Sequence, residues 1–90
     1  IGRTIVKHRY KVPVGKYLAE VDKYLDDLEG LLVVEVEFKS LEDANNFVMP
    51  SWFGKEITDD LRYMNDNLAI ATKDEVSELL KDTGVIHLSK

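Results

Sequence analysis

The chain reads as an α+β protein, an antiparallel β meander followed by short helices, and three features predict it. Apolar and charged residues alternate through Thr4–Val14, Tyr17–Leu25 and Leu31–Phe38, the period of half-buried strands. Turn chemistry separates them: Gly15-Lys16 first, then the acidic cluster from Asp26 to Gly30. After Lys39 the apolar spacing lengthens to that of helices, with hydroxyl residues placed as caps.

Taken in order, the first strand puts Ile5, Lys7, Arg9 and Lys11 on one face and Val6, His8, Tyr10 and Val12 on the other. Pro13 lacks a ladder donor, so this strand ends there or runs on as an edge. The second strand groups Glu20 and Asp22 with Leu18 and Tyr24, opposite Ala19, Val21 and Leu25. The third, LLVVEVEF, sets Val34, Val36 and Phe38 against Val33, Glu35 and Glu37. Ser40 then starts a helix whose stripe is Leu41, Ala44, Phe47 and Val48, stopped by Pro50. Trp52 and Phe53 form a bulky pair suited to plug one end of the sheet. Thr58 with Asp59 and Asp60 marks a second short helix. The stretch from Asn65 to Ala71 is open between helix and loop. Thr72 and Glu75 make a capping box for a helix through Asp82 that buries Val76, Leu79 and Leu80, with Gly84 as its stop. Val85 to Leu88 is a candidate last strand.

Composition narrows the function. Ninety residues make one small domain, a size that buries only about 60 to 65% of its unfolded surface. There is no cysteine, hence no disulfide framework and no thiolate zinc site. The net charge of -5 argues against a nucleic-acid partner. Residues 1 to 39 nevertheless balance seven basic against seven acidic residues, while 40 to 90 carry five against ten, so a basic cluster in the first part can still attract a small anion. No apolar run is long enough to span a bilayer and no signal-peptide core opens the chain, so the expectation is a cytoplasmic protein without a membrane partner.

No nucleophile triad, phosphate-binding glycine loop or two-histidine metal spacing is present. His8 and His87 fall in predicted strands on faces shared with apolar residues and read as packing or surface residues. What stands out is charge sorted by strand: Lys7, Arg9 and Lys11, then Glu20 and Asp22, then Glu35 and Glu37. Two carboxylates at i and i+2 of a strand lie roughly 7 Å apart, within reach of one divalent cation. Such a face either pairs its ions in solvent or, curled inward, holds a polyanion and its metal. The residues alone leave both open.

Five blocks in register carry a resemblance: Lys7-His8-Arg9-Tyr10, Ala19 to Tyr24, Gly30 to Phe38, Trp52 to Thr58, and Arg62-Tyr63. Together, over about residues 4 to 70, the sequence resembles the second half of a CYTH domain, the triphosphate tunnel fold of class IV adenylate cyclases, thiamine triphosphatases and inorganic triphosphatases. The WFGKEIT block followed by RY resembles the bacterial branch. The resemblance implies part of an eight-stranded antiparallel barrel, with 1–71 as the C-terminal half of the domain and 72–90 as a C-terminal helix and tail. It implies phosphate binding by Lys7, Arg9, Lys55 and Arg62. It gives Glu35 and Glu37 a catalytic, metal-holding role, with Glu20 and Asp22 as further acids for Mg²⁺ or Mn²⁺. The family's opening Glu-x-Glu-x-Lys motif has no match here, so a homodimer or a missing N-terminal half is expected to complete the tunnel. The expected activity is metal-dependent hydrolysis of a triphosphate. The alternatives are a non-catalytic phosphate-binding or interaction module, a class IV-type adenylate cyclase, or a structural fragment without a ligand.

Overall fold

The computed structural model describes residues 2–82 and 84–89, so the outermost positions of the expected ranges 1–71 and 72–90 lie outside it. Its centre is a four-stranded sheet in the order β1-β2-β3-β4. Strands β1 (Lys7–Val14), β2 (Tyr17–Tyr24) and β3 (Leu32–Glu37) form the expected antiparallel meander. The hairpin turns at Gly15, whose φ of +58° an L side chain rarely adopts. Between β2 and β3 the acidic cluster winds into a single 3₁₀ turn, Asp26–Leu28, and Gly30 reverses the chain at φ +100°.

The fourth strand corrects the purely antiparallel expectation. β4 (Val85–Ser89) runs parallel to β3, pairing Val33 with Val85 and Glu35 with His87, and the sheet stays open rather than closing into a barrel. A parallel neighbour requires a long crossover, and the helical segment from Leu41 to Leu79 supplies it. The outer edge of β4 is covered in turn. Ile57 N–H donates to the Ile86 carbonyl at 2.7 Å, and Ile86 N–H to that of Lys55 at 2.9 Å.

Both faces of the sheet are packed, which explains why the start of the third strand reads LLVV without a polar break. On one face Tyr24, Leu31, Val33 and Val85 meet Ile57, Tyr63, Leu68, Val76 and Leu79 from the crossover. On the other, Ala19, Val34, Val36, Phe38 and Ile86 meet Val14, Tyr17, Phe47 and Phe53. Phe47 stacks edge-on against Phe38 and Tyr17, with ring centroids 5.1 and 5.5 Å away respectively.

The first helix is shorter than its apolar spacing suggests. Ser40 Oγ accepts from Asp43 N–H as expected, but α1 (Leu41–Asn46) ends at Phe47, which takes extended backbone to reach the aromatic cluster. Leu41 is therefore 56% and Val48 85% exposed, and only Ala44 and Phe47 of the expected stripe pack. Phe53 joins the cluster while Trp52 stays half exposed. In place of a helix at Thr58, Asp60 caps a 3₁₀ turn, Leu61–Tyr63. The undecided stretch is α2 (Asn65–Ile70), and α3 (Lys73–Leu79) carries the predicted capping box and buries Val76 and Leu79. No helix among the described residues is long and apolar enough to cross a membrane.

Candidate functional site

Strand register decides which charges meet. Lys11, Glu20, Glu35 and His87 lie in one row across all four strands, and Arg9, Asp22, Val33 and Val85 in the next. Rows share a face because directly paired residues point the same way. The sorted acids and bases of the sequence thus occupy a single side of the sheet.

Asp22 anchors that side. Among the described residues it is the buried charged one, with no exposed surface, and cations take both of its oxygens. One accepts from Arg9 Nε at 2.7 Å, the other from Lys7 Nζ at 2.9 Å and Arg9 Nη2 at 3.0 Å. Burial pushes the Asp22 carboxyl up, yet the bonds from Arg9 and Lys7 prevail and leave it below the ordinary carboxylate value. Lys7, which burial lowers, is raised on balance by the same contact, and Arg9 is raised by its bond to Asp22. Both cations therefore stay charged across the physiological range. Arg9 Nη1 reaches Glu20 at 3.5 Å, so its fork is held from two sides.

Beside this anchor opens a cleft of about 460 Å³ between the sheet and the turn around Asp60. Lys7, Arg9, Glu35 and His87 line its sheet wall; Thr58, Asp60, Tyr63 and Asn65 are on the opposite wall. Of the expected site residues, Lys7, Arg9 and Glu35 come together here. Glu20 and Glu37 sit on the same face beyond the cleft's rim, Glu20 half-buried and Glu37 exposed. Lys55 is exposed and does not line the cleft. Arg62 turns away: its Nη2 donates to Asp60 at 2.6 Å while its side chain lines a separate groove beside α3. The bonds from Arg62 hold the Asp60 carboxyl below its ordinary range.

His87, Thr58, Asp60 and Asn65 did not stand out in the sequence as site residues. Only the parallel placement of β4 brings His87 opposite Glu35, and the turn's return over the sheet brings the others. Neither carries a local sequence signal.

The donor set suits a hard divalent ion in part. The register makes Glu20 the cross-strand neighbour of Glu35, with Cβ atoms about 5 Å apart, closer than the roughly 7 Å between Glu35 and Glu37 along the strand. Like charges directly opposite are unfavourable unless a cation lies between them. Among the described residues no group of three ligating side chains converges, however. Mg²⁺ commonly takes one or two carboxylates and completes its shell with water and phosphate, and this arrangement can offer that much.

Comparison with known proteins bears on this geometry. The chain is 46% identical over 72 residues to the inorganic triphosphatase of Nitrosomonas europaea, covering 78% of this chain and 47% of that one. It is 45% identical over 65 residues to the inorganic triphosphatase of Acetivibrio thermocellus, covering 71% and 40%. Over that stretch it is homologous to inorganic triphosphatases. The chain spans under half the length of these curated relatives. No family model matches the chain, and no solved structure matches it significantly.

Proposed function

We propose that the chain is the C-terminal half of a bacterial CYTH domain, residues 1–71 followed by a C-terminal helix and tail at 72–90, and that it binds a triphosphate together with Mg²⁺ or Mn²⁺. In the complete eight-stranded tunnel the activity is hydrolysis of the triphosphate. The observation that carries this reading is the pair of cations, Lys7 and Arg9, fixed on a buried carboxylate at the wall of a cleft that Glu35 shares. The homology to inorganic triphosphatases supports it.

Each residue has a distinct task. Lys7 and Arg9 present their remaining N–H groups to phosphoryl oxygens, stabilising charge that grows during transfer. Glu35, with Glu20 across the strand and Glu37 along it, holds the divalent ion. That ion, when bound, neutralises phosphoryl charge and supplies an activated water. Asp22, whose oxygens are spent on Lys7 and Arg9, serves by positioning them. Lys55, near the tunnel mouth, and Arg62 are further phosphate-binding residues of the completed tunnel, although neither reaches into the cleft of this half. The partner is a second copy or the other half of the domain, added along β1, because the far edge of the sheet at β4 is already covered.

The test is calorimetric titration of the 90-residue protein with tripolyphosphate and Mg²⁺, alongside an assay for released phosphate. The double variant Glu35→Gln with Glu37→Gln is expected to lose the Mg²⁺-dependent part of binding while its circular dichroism stays unchanged. Retained Mg²⁺ dependence removes the acids from their assigned role. Binding without phosphate release favours the second reading, a non-catalytic phosphate-binding module. That reading is favoured by the lack of a three-ligand metal cluster among the described residues.

A further inference from the structure

We propose that His87 contacts the substrate, donating a ring N–H to a phosphoryl oxygen of the triphosphate held by Lys7 and Arg9; this rests on the function proposed above. His87 lies on the last strand, opposite Glu35, and lines the cleft with Lys7 and Arg9. It is half-buried, and its register opposite Glu35 sets it on the cleft side of the sheet.

Several of the other donors lining the cleft have internal partners. Lys7 and two nitrogens of Arg9 are committed to Asp22. The Thr58 hydroxyl donates to Glu56 at 2.7 Å and accepts from Leu88 N–H at 3.1 Å. The imidazole has no hydrogen-bond partner among the described residues, yet its nitrogens are not sealed from solvent. A half-buried donor left unpaired at the wall of a cation-bearing cleft is available to an anionic ligand at no cost in broken internal bonds. Imidazole is a poor match for Mg²⁺, which prefers oxygen, so phosphate rather than the metal is the partner its chemistry selects. His8 provides the contrast. It stands exposed on the opposite face, with its ring 6.5 Å from that of Tyr10.

The experiment follows the ring nitrogens of both histidines by long-range ¹H–¹⁵N spectra at fixed pH, with Mg²⁺ alone and then with tripolyphosphate and Mg²⁺. The His87 resonances are expected to move when tripolyphosphate is added, beyond any change that Mg²⁺ alone causes through the neighbouring Glu35, and those of His8 to stay. In calorimetry His87→Ala should weaken tripolyphosphate binding about tenfold, as expected for one lost bond to a charged acceptor. His87→Gln, which keeps a donor, should recover most of it. A His87 shift that is complete in Mg²⁺ alone and does not change further with tripolyphosphate overturns the proposal. So does unchanged affinity in His87→Ala or a silent ring in the presence of bound tripolyphosphate, either of which leaves the proposed function standing. Failure of the unaltered protein to bind tripolyphosphate at all overturns the function and this contact together. If His87→Ala does not fold, the spectra of the unaltered protein decide.

Discussion

At the scale of single residues, Asp22 carries the most weight. A buried carboxylate is tolerated because three charge-assisted bonds replace its hydration. Removing its charge leaves Lys7 and Arg9 partly buried beside a neutral amide, and Asp22→Asn is expected to cost about 3 kcal/mol in urea unfolding. The pH dependence has a definite sign. The folded-state pKa of Asp22 lies below its ordinary 3.8, so its stabilisation is present above that value and is lost as pH falls through the depressed pKa. Lys7 is raised above its ordinary 10.5, so its share is present below that pH and fades above it. Urea melts between pH 2 and about 5 should show stability of the unaltered protein dropping at the acid end, and a smaller drop in Asp22→Asn.

The alternation of β1 and β2 already placed Lys7, Arg9, Glu20 and Asp22 on one face. It could not say that Asp22 rather than Glu20 is the buried partner, because that depends on how far Tyr63 and Leu68 reach over the sheet. Arg3 was equally illegible. Its guanidinium donates to the carbonyls of Leu68 and Ala71, closing the end of α2. Beside it Gly2 lies so close to the Ala69 carbonyl that any side chain would collide.

At the scale of elements, local chemistry fixed starts better than stops. Thr72 Oγ1 accepts from Glu75 N–H at 3.1 Å, and the Glu75 carboxylate accepts from Thr72 N–H at 2.8 Å. These bonds keep the Glu75 carboxyl below its usual range. Thr72→Ala should cost about 1 kcal/mol in thermal or urea unfolding, because α3 holds Val76 and Leu79 over the cleft-bearing core. The box is a contiguous four-residue signal and was readable. The end of α1 was not, since the helical spacing of Leu41, Ala44, Phe47 and Val48 competes with a tertiary demand. Phe47 gains more by leaving the helix to meet Phe38 and Tyr17 than by extending it.

At the scale of the whole molecule, the two edges of the sheet differ. Val6 C=O accepts from Leu25 N–H at 2.8 Å, and alternation from there turns the backbone of His8, Tyr10 and Val12 toward β2 and that of Lys7, Arg9 and Lys11 outward. Pro13 falls on the outward set, where its missing N–H costs nothing. Amide exchange should therefore be at least about tenfold faster at Lys7, Arg9 and Lys11 than at His8, Tyr10 and Val12. Protection gained at the outward amides as protein concentration rises would mark β1 as the joining edge of a homodimer. The meander was legible from period and turns. The parallel docking of β4 was not, because three apolar residues, Val85, Ile86 and Leu88, specify a strand but neither its neighbour nor its direction.

That last strand also imposes an order of events. β3 precedes by about fifty positions in the chain the residues, 85–89, that fill its second flank. Until those residues leave the ribosome, one flank of β3 stays bare and the wall bearing Glu35 lacks its neighbour. A nascent chain halted just short of Val85 should therefore be grasped by chaperones, whereas one released past Ser89 should not.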